Sequence, residues 1–264
     1  MVGIPRTVTA APRTGTEDVS ATAAAEQEEN RFHARARTRG VRRGVYRVAR
    51  ALVEPACRVY FRLQRTGGHH IPTTGPVIVA SNHRSFLDPF VIGLVTPRPL
   101  YYVAKRELFR HPVAAWLLSA LGAFPVQRGI GDPDMLATAK ALLERGDCVL
   151  IFPEGTRTRP GPLGRPKRGI GHLALETGAP VVPLAVRGTE DVRRGWRIRP
   201  HRVTIRVGRP LAFPTVAKAA PRLAAAVTDR IWPEVELQWE LLGGEAPRPA
   251  AAPAPPVHER VTAA

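Results

Sequence analysis

Five short runs of residues limit what this chain can fold into. Residues 76–81 (PVIVAS), 100–104 (LYYVA), 148–152 (CVLIF), 181–186 (VVPLAV) and 202–207 (RVTIRV) are each of strand length, and several are apolar at every position. A strand with one wet face alternates apolar and polar residues, whereas one covered on both faces does not. Helical patterns separate the runs at about 89–96, 111–121, 133–146 and 169–178, and a last one covers about 219–242. The alternation predicts an α/β fold with a mixed, largely buried β-sheet flanked by helices. A chain of 264 residues that is 44% hydrophobic suits one such domain with appendages better than two full domains.

Composition divides the rest. Residues 1 to about 30 are rich in Ala, Thr and Glu with no apolar period, and 245–264 are Ala/Pro-rich, so neither can bury enough surface to offset its ordering entropy. The expected layout is a disordered tail over 1–40, an amphipathic helix over 41–65, the main domain over 66–243 and a second disordered tail over 244–264. Polar and acidic residues fill the place of a signal-peptide apolar stretch. The longest apolar run, 113–126, has 14 residues and includes Gly122 and Pro125, short of a bilayer span. It reads as core or as the lining of an apolar channel. Two distant cysteines, Cys57 and Cys148, match no disulfide framework or metal spacing and suit a reducing, cytosolic setting.

A net charge of +17 points to an anionic partner: nucleic acid, an acidic lipid surface or a phosphorylated substrate. Residues 31–65 hold eleven Arg against one Glu. Within 41–65, Val45, Val48, Ala49, Leu52, Val53, Ala56, Val59, Tyr60 and Leu63 recur at steps of three and four. Arg43, Arg47, Arg50, Glu54, Arg58, Arg62 and Arg65 take the opposite stripe. Two readings fit this helix, which contains Pro55: it lies in the headgroup layer of an anionic membrane, or it packs on the domain with a solvated Arg face. The basic stretches lack the interleaved aromatics of a base-stacking platform, which argues against nucleic acid.

The chemistry gathers at IVASNHRSFLDPF, residues 78–90. The strand ends at Ser81, Pro89 suits the first turn of a helix, and Asp88 is placed as the N-cap. A loop can fold the Asp88 carboxylate onto one nitrogen of His83 and leave the other free, which makes a general base. By themselves these two residues are better described as a capping Asp and a solvated loop His, since Asp-Pro at a helix start needs no catalytic reason. Ser81 and Ser85 flank His83 and read as loop hydrogen-bonders more than as nucleophiles.

Three further blocks join this one: GAFPVQR (122–128), FPEGTRT (152–158) and VVPLAV (181–186). In order and spacing, the four blocks resemble those of the glycerolipid acyltransferases, the PlsC-like 1-acylglycerol-3-phosphate acyltransferase family, over about 65–215. The resemblance implies that His83 deprotonates an acceptor hydroxyl, that Asp88 supports it, and that the hydroxyl attacks an acyl thioester directly. It further implies that Arg157 holds the acceptor's phosphate, with Glu154, Gly155 and Thr156 shaping the acceptor site and Arg128 a second phosphate ligand. The expected co-substrate is acyl-CoA or acyl-carrier protein, with no cofactor and no metal. Lysophosphatidate is the expected acceptor, with another lyso-lipid acceptor, or a non-catalytic basic membrane binder, as the alternatives. The expected location is peripheral, on the cytoplasmic face of the membrane.

The residues themselves agree with direct attack: there is no G-x-S-x-G elbow, and Cys148 sits inside an apolar run. Oxyanion donors are sought at the N-terminus of the helix near 89 or at Arg128. A basic, Pro-rich loop precedes GIGHLA (169–174) where a dinucleotide fingerprint needs a strand.

Overall fold

The computed structural model describes residue 27 and residues 30–126, 132–158, 161–195 and 197–245. Seven strands form one sheet: β1 (Gln64–Thr66), β2 (Val77–Ser81), β3 (Leu100–Lys105), β4 (Ala123–Val126), β5 (Cys148–Ile151), β6 (Val181–Arg187) and β9 (Thr204–Val207). Their order is β1-β9-β6-β2-β5-β3-β4, and a separate hairpin pairs β7 (Arg193–Arg194) with β8 (Arg197–Ile198). Every neighbouring pair in the large sheet is parallel except β6 with β9. The sheet is therefore mixed and mostly parallel, in agreement with the α/β expectation.

The period-2 alternation of β2 splits it between two cores. Val77 and Val79 face one side with Val91, Ile92 and Val95 of α3 (Asp88–Val95), and Ala115 of α4 (Pro112–Ala120) packs there too. Ile78 and Ala80 face the other, against Leu142 of α5 (Pro133–Glu144), Ile170 and Leu173 of α6 (Gly169–Thr177), and Ile231 and Val235 of α7 (Pro221–Leu241). Apolar burial on both faces is the reason β2, β5 and β6 carry uninterrupted apolar runs.

Two helices precede the sheet, and both correct the sequence reading. Residues 30–39, assigned to the tail, form a helix, α1. Its His33 Nδ1 lies 2.9 Å from Thr138 Oγ1 of α5, and Phe32 packs on Phe109 at 5.0 Å between ring centroids. Anchors this sparse leave no apolar period. Of the two expected tails, residues 1–26, 28–29 and 246–264 lie outside the described residues.

Helix α2 (Arg43–Tyr60) docks the wrong way round for a surface helix. Arg50 donates to the carbonyls of Gly93 (3.2 Å), Leu94 (2.9 Å) and Thr96 (2.6 Å), and Arg65 beyond the helix also donates to Leu94 O at 2.8 Å. These carbonyls end α3, where no intrahelical donor remains and the helix dipole favours a cation. Glu54 braces the cluster by pairing with Arg50, Arg58 and Arg65. The apolar stripe stays out: Leu52 is 70% and Val59 82% exposed, and Cys57 is the one buried residue of the helix. Arg43, Arg47, Arg58 and Arg62 of the basic stripe remain exposed, while Arg50 is turned onto the end of α3.

Candidate active site

Strands β6, β2 and β5 are adjacent and parallel, so the loops after them leave the sheet along one edge, where α/β folds place ligands. His83 comes from the loop after β2, Glu154 to Thr158 from the loop after β5, and Thr189 from the turn after β6. Asn82 ties the first loop to β6: its Nδ2 donates to Val186 O and its Oδ1 accepts from Val186 N–H, each at 2.9 Å.

The His83 ring lies flat on Phe152, with centroids 4.0 Å apart and planes 15° from parallel. Its Nδ1 is 2.8 Å from Asp88 Oδ2. A carboxylate only accepts, so the proton of the neutral ring sits on Nδ1 and the Nε2 lone pair is left for a substrate. Asp88 is fully buried and forms no ion pair with a lysine or arginine among the described residues. Oδ2 also accepts the N–H groups of Arg84 and Ser85, each at 2.7 Å, and Oδ1 accepts the hydroxyl of Thr189 at 2.5 Å. Four donors on one carboxylate offset its loss of water.

Asp88 is not the N-cap that the sequence suggested. It is the first residue of α3, after an N-cap at Leu87, and its side chain is drawn back over the loop by those donors. Nor does the start of α3 offer free oxyanion donors. Asp88 N–H binds Ser85 O, and the N–H groups of Phe90 and Val91 bind Leu87 O. Ser81 Oγ donates to Asn82 O at 3.1 Å, and Ser85 Oγ accepts from Leu87 N–H at 3.4 Å.

Glu154 is 4% exposed and is consumed by backbone. Oε2 accepts the His83 N–H and Oε1 the Gly164 N–H, both at 2.7 Å. Burial pushes its pKa up, against the pull of those two donors, Thr158 and Arg84. Thr158 returns the link by donating its N–H to His83 O at 2.9 Å. Arg84, 7% exposed, lies 4.9 Å above the Trp239 ring and donates to the carbonyls of Gly161 and Pro162. The loop after β5 is thus tied at both ends to the loop that bears the imidazole.

Between those ties Gly155, Thr156 and Arg157 are exposed. Gly155 has φ +70°, and a Cβ there would meet the Lys167 side chain at 2.9 Å, so the turn needs glycine. Arg157 is one residue from the Thr158–His83 bond and makes no ion pair among the described residues. Arg128 lies outside the described residues. Cys148 points into the core, where burial pushes its pKa up to about 12 and removes it as a nucleophile.

The sequence reading set Asp88 on His83, as the structure does, but gave Glu154 to the acceptor site without linking it to His83 and missed Thr189, Asn82, Arg84 and Phe152. Asn82, Arg84 and Phe152 lie inside the quoted motifs, next to His83 or Glu154. Thr189 stands 101 positions from Asp88 and has no local signature.

Residues 62–187 match the sequence profile of the family described as Acyltransferase. A 1-acyl-sn-glycerol-3-phosphate acyltransferase of Bacillus subtilis is 32% identical over 144 residues, covering 54% of this chain and 70% of that protein. The chloroplastic 1-acyl-sn-glycerol-3-phosphate acyltransferase of Brassica napus is 35% identical over 138 residues, and the mouse alpha enzyme of that name is 34% identical over 149. Those matches cover 50% and 55% of this chain but span only 39% and 52% of the relatives' own length. The crystal structure of PlsC from Thermotoga maritima, a 1-acyl-sn-glycerophosphate acyltransferase, shares the fold with a TM-score of 0.54 at 22% identity, over 88% of this chain and 95% of that one. From its sequence profile, its Bacillus relative and its fold, the chain belongs to the PlsC-like glycerolipid acyltransferase family.

Proposed function

We propose that the protein acylates the free hydroxyl of a lysophospholipid, 1-acylglycerol-3-phosphate above all, giving phosphatidic acid, with acyl-CoA or acyl-carrier protein as donor. The observation that carries this reading is the His83–Asp88 pair, buried at Nδ1 and held to the loop of Arg157 through Glu154 and Thr158. The acceptor O–H gives its proton to His83 Nε2 as its oxygen attacks the thioester carbonyl carbon. The tetrahedral adduct then loses its C–S bond, and the departing thiolate takes the proton from the imidazolium. Asp88 holds the tautomer and stabilises the imidazolium between the two transfers. Glu154 serves as a positioning group for the two loops, while exposed Arg157 presents a planar fork to the acceptor's phosphate.

The apolar side of α2 seats the enzyme on an anionic, cytoplasmic leaflet. No helix among the described residues is long and apolar enough to cross a membrane. Val48 and Leu52 are exposed at 61% and 70%, and their sequence neighbours Ala49 and Val53 line an apolar groove of about 80 Å³ with Pro89 and Phe90 of α3.

The test is an acyl-transfer assay with labelled acyl-CoA and a panel of lyso-acceptors, with and without a phosphate monoester. Arg157→Ala should weaken only the phosphate-bearing acceptors, and equal losses across the panel reject its role. Turnover by none of the acceptors rejects the activity. Leu52→Asp should release the protein from anionic vesicles by about tenfold or more, since a buried Leu is worth roughly 1.5–3 kcal/mol; unchanged sedimentation with vesicles removes α2 as the anchor.

A further inference from the structure

The amino ends of β2, β3 and β5 carry a second concavity, on the edge of the sheet opposite His83. It encloses about 810 Å³ between the start of α2 and the segments entering those strands, within the range of roughly 300–1,000 Å³ usual for ligand sites. Six arginines line it against one carboxylate, Asp147.

The arginines form two sets. Arg50, Arg98 and Arg145 are fixed. Arg98 donates to Gly146 O at 3.0 Å and to Gly75 O, Arg145 pairs with Asp147 at 2.6 Å, and Arg50 closes the end of α3. Carbonyls cancel no charge, so Arg98 keeps its own, while Asp147 offsets Arg145 and Glu54, shared with Arg58 and Arg65, offsets part of Arg50. Arg39, Arg43 and Arg47 are exposed and make no hydrogen bond or ion pair among the described residues. Arg43 and Arg47 are one turn apart on α2, on the same face of the helix.

The crowding is felt nearby: the Arg35 guanidinium is held below its ordinary pKa, by burial first and then by Arg42 and Arg39. The aromatic groups do not make a stacking platform, because Arg145 already lies 5.5 Å over the Tyr101 ring. What the walls offer is forked N–H donors and uncompensated positive charge, the chemistry that recognises phosphate.

We propose that this cleft is a phosphate-anion site, separate from the catalytic one, in which Arg39, Arg43 and Arg47 close on a ligand carrying two or more negative charges. The same chemistry is met by a free phosphate compound and by the headgroup of a lipid in the bilayer against which Val48 and Leu52 rest. The site does not depend on the reaction assigned to His83.

Titration calorimetry of the full-length protein with inorganic pyrophosphate tests it. One saturable site per chain is expected, weakened at least about tenfold in Arg43→Glu/Arg47→Glu, as for loss of charge-assisted hydrogen bonds. Arg222→Glu/Arg230→Glu, exposed residues of α7 outside the cleft, makes the same change in net charge and should leave binding intact. Phosphatidylcholine vesicles doped with phosphatidate then decide the source: displacement of pyrophosphate assigns a lipid headgroup, and failure to displace it assigns a free anion. Absence of pyrophosphate binding, or equal weakening by both double variants, overturns the site in favour of diffuse charge attraction.

Discussion

The two ends of this sheet treat charge in opposite ways. At the carboxyl ends of β2, β5 and β6 the two carboxylates that touch His83 are buried and spoken for, with Asp88 taking four donors and Glu154 two, and Arg157 stands exposed beside them. At the amino ends of β2, β3 and β5 arginines gather around water, and three have no partner among the described residues. The first arrangement suits chemistry, because a positioned base loses rate with any slack in its support. The second suits capture, because exposed charges keep their reach until a ligand arrives. Polar groups in one small protein are thus spent on geometry at one edge and held for binding at the other.

The sharpest way to break the comparison is at the imidazole. His83→Ala should lower kcat by at least about 100-fold, as for loss of a general base, while leaving pyrophosphate binding at the far edge unchanged; a milder loss removes the ring from the reaction. Thr189→Val tests whether the buried support matters. It strips the donor from Asp88 Oδ1 and should cost about tenfold in kcat with little change in KM, and Thr189→Ser should restore the rate. A KM effect alone, or failure of the serine variant to rescue, makes Thr189 a packing residue only.

The smallest effect is a pH dependence at Glu154. Its folded pKa is raised, so its contribution to stability is complete below the unfolded value of about 4.3 and is lost as pH rises through the folded value. Glu154→Gln has no such loss, although the one carbonyl oxygen of glutamine can replace only one of the two carboxylate oxygens that accept from the His83 and Gly164 N–H groups, and its NH2 cannot accept from the other. The difference in melting temperature, variant minus native, should therefore move in the variant's favour between about pH 4 and pH 7. A difference that is flat or falls with pH contradicts the raised pKa.

Legibility in the sequence followed the strength of local signals. Five strands and five helices were placed to within a few residues, since each has its own period or apolar run. Edge strands escaped: β1 is three exposed residues, and β4 contains Pro125, which an edge tolerates and a central strand does not. The long helices make the same point. In α7 the periodic apolar residues, Val227, Ile231 and Val235, face the core, whereas in α2 an equally periodic stripe faces out.

Residue order alone determined the α/β layering, the loop that carries His83, and the strand-end loop that carries Arg157, because propensity and hydrophobic period act over a few neighbouring residues. Only tertiary structure decided which way α2 turns, that Glu154 joins two loops, that Thr189 completes the shell of Asp88, and that arginines from distant segments share one cleft. Those outcomes depend on which carbonyls and carboxylates are left unsatisfied once the sheet has formed, and that tally exists only after residues a hundred positions apart have met.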